Sequence, residues 1–274
     1  MTVLSKLLRD PVAAVALCLA VLIVFAAVAA PWIMSGDPSD NDLSLAMQPP
    51  GQGLLLGADD QGRDMVLRLL YGLRLTLVIG AAAVVLGGGV GAVLGLLAAF
   101  YRPLDAVVMR LMDVLLAFPA ILFGLAIAAI FGPGVPAVVL ALSVATVPLT
   151  ARILRATAAV EMGRDYMEAG RAVGMRDRRL IWRHLAPNCA SAAVVFATLR
   201  FGQVILLGAA LSFLGLGAQV PTAELGAMAS QGRTFLFYAP HIAIVPCAAI
   251  FAVVLVFNVL GDALRDALDP RISI

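Results

Sequence analysis

The residues best placed to do chemistry lie between Arg152 and Asn188, where eight arginines stand against Glu161, Asp165, Glu168 and Asp177. That local excess of positive charge is suited to contacting a partner surface or phosphate groups rather than to bond making. A second candidate is Arg200, the one basic residue inside an otherwise charge-free run, with Gln203 one turn further on and Asn258 in a later apolar run. Catalytic patterns are missing from the sequence. The chain has one lysine, Lys6, so no Gly-rich phosphate loop ending in lysine exists, and neither His-Glu-x-x-His nor Gly-x-Ser-x-Gly occurs. Cys18, Cys189 and Cys247 lie in apolar surroundings and are odd in number, which points to neither a disulfide framework nor a zinc site. No catalytic residue, no metal site and no cofactor bound by this chain are therefore expected.

The elements that must position these residues follow from composition. Of 274 residues, 62% are hydrophobic and 13% charged, where a soluble domain carries about a quarter charged. A water-soluble globule is excluded. A hydrocarbon core about 30 Å thick needs roughly 20 apolar residues in a helix. The stretches 11–36, 75–101 and 234–261 meet that length. The run 114–151 is too long for one crossing and breaks at Phe131-Gly132-Pro133-Gly134-Val135-Pro136, giving two spans, and a further helix starts near Pro187-Asn188. The expectation is an all-α polytopic membrane protein with six transmembrane helices. Its first apolar run exceeds the length of a signal peptide and is followed by Pro31-Trp32, so it reads as a span rather than a cleaved leader.

Placing the N-terminus in the cytoplasm leaves four basic residues outside, Arg63, Arg68, Arg74 and Arg233, and fourteen inside. That bias predicts both termini cytoplasmic in a plasma (inner) membrane, with His184 and His241 on opposite sides. The expected organisation is a cytoplasmic N-terminus at 1–10, a first transmembrane helix at 11–34, and an external amphipathic segment at 35–72. A five-helix core then occupies 73–265, with a cytoplasmic loop at 159–188, and a tail occupies 266–274. Within the external segment, Asp59-Asp60-Gln61-Gly62-Arg63-Asp64 lacks the ligand spacing of an EF-hand, and Asp64 is expected to start a short helix on the membrane surface. Gly87, Gly91 and Gly95 form two overlapping G-x-x-x-G patterns, the signature of a helix-contact face.

In the long loop, Asp165 and Glu168 read as an N-cap and capping box, with Met162, Tyr166, Ala169 and Val173 along one apolar face. Gly174 stops that helix, Asp177 caps the next, and Pro187 ends it. A DNA-reading helix–turn–helix is excluded, because about thirty residues tethered to spans at both ends leave no room for its supporting helix. A loop lying on anionic lipid remains the plain alternative.

Glu168-Ala169-Gly170-Arg171-Ala172-Val173-Gly174, followed by His184-Leu185-Ala186-Pro187, resembles the EAA motif of permease subunits of binding-protein-dependent ABC importers. Gly170 stands where the motif has its second alanine, and Ala186 separates Leu185 from Pro187. The segments 56–64, 211–217 and 258–271 are similar, in order, to the second permease of peptide and nickel importers. The resemblance implies a type I ABC importer permease fold with a two-helix coupling loop, in which Tyr166, Glu168, Ala169, Gly170, Val173, Gly174, Asp177 and Pro187 serve a separate ATPase. It also implies a homologous second permease as a heterodimer partner, two ABC ATPase subunits that bind ATP and Mg, and an external substrate-binding protein. No nucleic-acid partner is implied. Peptides are the first expectation for the cargo and nickel the second. Arg200, Gln203 and Asn258 are candidates for the pathway, with an ion pair between Arg200 and Asp113 as the structural alternative. The reading from a different class, an ion-coupled secondary transporter, predicts paired broken helices and membrane carboxylates as ion sites.

Overall fold

The computed structural model describes residues 7–34, 36–51 and 53–268. The expectations for residues 1–6, including Lys6, and for 269–274, including Arg271, lie outside the described residues.

The described residues form helices and loops, with two isolated β-bridges and no strands. Helix α1 is Pro11–Ile33, started by Asp10, whose carboxylate accepts from the Val12 N–H at 3.0 Å. Helix α2 is Met65–Phe100, capped in the same way by Asp64. This corrects the external segment: residues 65–72 are the first two turns of a 36-residue helix rather than a separate surface helix. Helices α3 (Arg102–Ala117) and α4 (Ala120–Phe131) meet at a bend of 88°. Pro119 lacks an N–H and forces Phe118 into extended backbone (φ −90°, ψ 132°), so the third span is broken where the sequence reading had a straight helix. Gly132, at φ +83°, makes the turn into α5 (Val135–Met162).

Two short helices follow, α6 (Asp165–Ala172) and α7 (Asp177–Leu180), then a π turn (Ile181–Leu185) leading without interruption into α8 (Ala186–Phe213). Pro187 therefore does not end a helix. It sits in the first turn of α8, and the wide turn before it lets the Ala186 N–H reach the Ile181 carbonyl, five residues back. Helix α9 (Leu225–Gly232) is buried near the 36–64 segment, and α10 (His241–Leu268) closes the fold. Five helical stretches are long and apolar enough to cross a membrane, and the bent α3–α4 pair makes a sixth crossing if taken as one.

The glycine pattern on α2 does what its spacing implies. A Cβ on Gly87, Gly91 or Gly95 would fall 2.3, 2.5 or 2.4 Å from the carbonyl oxygens of Ser143, Val147 and Ala151 on α5. Backbones approach this closely only without side chains, which makes α2–α5 a tightly packed axis of the bundle. The cores run along it. Leu73, Leu77, Ile205, Leu225 and Val253 join α2, α8, α9 and α10, while Ile79, Ala83, Leu142 and Leu211 join α2, α5 and α8. Val21, Phe25, Phe251 and Leu255 on α1 and α10 stay exposed, as surfaces that a bilayer covers.

Candidate functional site

At the arginine-rich end, α6 rests on its own chain by one face. Met167 is fully buried, and Gly170 lies so close to α7 that a Cβ would meet Leu180 Cδ2 at 2.7 Å. Met167, Leu180, Leu185 and Cys189 join Leu96, Leu154 and Ala158 in one cluster, which ties the loop to α2, α5 and α8. Tyr166 belongs to this inward side too. Its hydroxyl donates to Glu161 Oε2 at 2.8 Å, and Glu161 also holds Arg164 at 2.8 Å. Burial, then the hydrogen bond to Glu161, pushes the Tyr166 phenol up to about 12.

The expected apolar face therefore divides. Tyr166 turns inward, whereas Glu168, Ala169 and Val173 are exposed, Val173 at 78%. The signal available in the sequence was the Met167/Gly170 spacing, one turn apart on the face next to the Tyr166–Ala169–Val173 stripe. The caps differ as well: Arg164 and Arg176 occupy the cap positions, and Asp165 and Asp177 are the first helical residues, where a carboxylate still complements the helix N-terminus. Asp177 lies near Tyr101 at the corner between α2 and α3, and desolvation followed by the Asp177 charge raises the Tyr101 pKa. Gly174 has φ +71° with open space around it, so the turn needs its backbone freedom and not its small size.

Arg200 lies halfway along α8, beside Ala145 in the first half of α5. Its Nη1 donates to Gln203 Oε1 at 2.5 Å, Nη2 reaches the Ala145 carbonyl at 3.5 Å, and Nε is buried with no partner. The ion pair with Asp113 does not form. Asp113 is held by Arg152, and Asp105 by Arg155 through Nε at 2.7 Å, both pairs tying α3 to α5. Arg200 opens on a cleft of about 260 Å³ lined by Gly88, Gly89, Thr146, Thr150 and Ala197. Asn258 is not brought there; its Oδ1 faces Gly202 at the α8–α10 contact. Among the described residues no group of three or more His, Cys, Asp or Glu side chains is arranged to hold a metal ion.

At the other end, an acidic–basic cluster that the sequence reading left unused closes the 36–64 segment. Asp59, Arg63, Arg68 and Glu224 are all 1–2% exposed. Asp59 accepts from Arg63 Nε at 2.6 Å and Arg68 Nε at 3.1 Å, and Arg68 also donates to the Pro38 and Pro221 carbonyls. Glu224 accepts from Thr76 and from the Gly226 and Ala227 N–H groups at the start of α9. His241 Nε2 lies 3.0 Å from the Ala58 carbonyl. The i,i+4 spacing of Asp59 and Arg63 was the local clue; the Arg68–Pro221, Thr76–Glu224 and Ala58–His241 contacts join segments far apart in the sequence.

Comparison with known proteins gives a consistent result. Residues 91–274 match the family described as binding-protein-dependent transport system inner membrane component, and residues 2–50 match the N-terminal transmembrane domain of oligopeptide transport permease C. A putative peptide transport system permease protein of Brucella suis is 43% identical over 98% of this chain and 91% of its own length. A glutathione transport system permease protein of Pectobacterium atrosepticum is 41% identical, over 98% of this chain and 90% of its own. A di/tripeptide transport system permease protein of Pseudomonas aeruginosa is 42% identical, over 92% and 86%. Among solved structures, a chain of the MetNI methionine ABC transporter in an inward-facing conformation shares the fold, with a TM-score of 0.62 and 20% identity over 75% of this chain and 98% of that one. A helical membrane bundle with a polar loop of this kind, matched along nearly its whole length, belongs to the family of binding-protein-dependent transport system inner membrane components, the multi-pass permease subunits of ABC importers.

Proposed function

We propose that this chain forms half of the translocation pathway of an ATP-driven peptide importer and takes its drive through α6. Both termini face the cytoplasm, as the distribution of basic residues requires. A homologous permease completes the pathway, two ABC ATPase subunits bind ATP and Mg, and an external binding protein delivers the peptide. The peptide assignment rests on the relatives, whose names specify peptide, di/tripeptide and glutathione transport.

The observation that carries the reading is the two-sided character of α6. One side, Met167 and Gly170, is locked to α7, while the other presents Glu168, Ala169 and Val173 to a partner. Because α7, the π turn and α8 run on continuously, a push on α6 passes to a helix that reaches Arg200 and beyond. Glu168 pairs with a basic residue of the ATPase, and Gly174 sets the angle between α6 and α7. Arg200 and Gln203 face the pathway, and Asn258 supports α8 from behind. Alternating access follows: closure of the ATPases moves the loop, opens the pathway outward and resets after hydrolysis.

Isolation of the subunit in mild detergent tests this directly. A second permease and P-loop ATPases should accompany it, and ATP hydrolysis should rise with binding protein. Recovery of the chain alone, still moving solute along an ion gradient without ATP, would instead place it among secondary transporters.

A further inference from the structure

Resting on that reading, we infer that Arg200 is a station for the carboxylate of the cargo, so that the pathway itself selects solutes bearing a free carboxyl group. Arg200 is a cation that the described residues do not neutralise. Among the described residues, no aspartate or glutamate pairs with Arg200, and the two carboxylates of α3 are engaged by Arg152 and Arg155. Its existing partners are neutral, a glutamine oxygen and a distant carbonyl, and Nε has none.

Depth matters next. Arg200 lies fourteen residues from the start of α8 at Ala186, about 20 Å of helix. An arginine that deep does not snorkel to either interface, and facing acyl chains there would be heavily penalised. The Arg200 face therefore looks onto water, a partner or a solute. The cleft beside it fits a solute with one charged end and an apolar body. Gly88 and Gly89 leave open space on α2, and Ala197 adds no polar group. The Thr146 and Thr150 hydroxyls are turned back onto the Leu142 and Thr146 carbonyls. The guanidinium is then the cleft's strong polar anchor, with Nη1 on the neutral Gln203 oxygen and Nη2 only weakly engaged at Ala145, and a carboxylate entering the cleft gains a charge-assisted hydrogen bond there.

The test uses the complete transporter in proteoliposomes with its own binding protein. A mixture of di- to pentapeptides is supplied once with free C-termini and once as C-terminal amides, and ATP-driven uptake is counted by mass spectrometry. Any preference imposed by the binding protein is common to every variant and cancels when the free-acid to amide ratios are compared. Arg200→Gln should lower that ratio about tenfold, the scale of one lost charge-assisted hydrogen bond. Arg200→Lys should keep most of the preference. An unchanged ratio in Arg200→Gln, or an equal fall in uptake of both peptide forms, overturns the inference. So does failure of Arg200→Gln to co-purify with the second permease, which would assign the arginine to the subunit interface. Absence of any ATP-driven uptake by the wild-type complex would instead remove the importer reading on which the inference rests.

Discussion

The two polar ends of this bundle treat charge in opposite ways. At the end covered by the 36–64 segment, Asp59, Arg63, Arg68 and Glu224 are buried and paired within the chain, with Arg68 Nη2 left without a hydrogen-bond partner. At the arginine-rich end, Glu168, Arg171, Arg176, Arg178 and Arg179 are exposed on the two short helices, and the interior is held by Met167, Leu180 and Leu185. Removing a partner from a buried ion pair leaves an uncompensated charge, whereas exposed charges contribute little to the fold that carries them. The first end is thus built for stability of the lone chain, and the second spends its polarity on a surface for something else.

Asp59→Ala should break the first end most severely. It strands two buried guanidinium groups and should cost about 3–5 kcal/mol, read as loss of folded subunit and of its thermal transition in detergent, with or without partners. Gly174→Val comes next: the φ of +71° is hostile to a β-branched residue, with strain of about 1–2 kcal/mol. Binding-protein-stimulated ATP hydrolysis should fall while the subunit still inserts, and Gly174→Asn, which tolerates that conformation, should keep most of it.

Tyr166→Phe removes the hydrogen bond to Glu161 and should cost about 1 kcal/mol. Because the phenol is raised from 10.0 to about 12, its contribution is complete below pH 10 and is lost as pH rises from 10 towards 12. Thermal melts should show that loss in the wild type and lack it in Tyr166→Phe. Glu168→Ala should have the smallest effect on stability, within about 0.5 kcal/mol, yet it should abolish stimulated hydrolysis once the ATPases are present. A large destabilisation from Glu168→Ala, or a negligible one from Asp59→Ala, would erase the contrast between the two ends.

Much of the bundle was legible because continuous apolar runs leave a helix few alternatives in a bilayer. Helices α1, α2, α5, α8 and α10 follow such runs, and Gly87, Gly91 and Gly95 marked the α2–α5 contact. The α3–α4 bend was missed because a search for uncharged stretches passes over Pro119, although proline constrains its predecessor. The joined α7–α8 rod was missed for the converse reason: Pro187 reads as a stop, but a π turn absorbs it. In the arginine-rich loop, the sequence pattern found the helix but turned it by about half a face, since Tyr166 has an aromatic ring suited to either side and its hydroxyl is held by Glu161. The Arg68–Pro221 and Glu224–Thr76 contacts depend on how distant segments meet, which local spacing does not encode.

The most direct test of the account places a photo-crosslinking amino acid at position 173, in the complex in native membranes. Val173 is exposed on the side of α6 turned away from its own chain. The account predicts an adduct with a P-loop ATPase subunit whose yield changes when ATP is added. Adducts confined to lipid, or to this chain itself, in membranes that contain the assembled ATPases would contradict it.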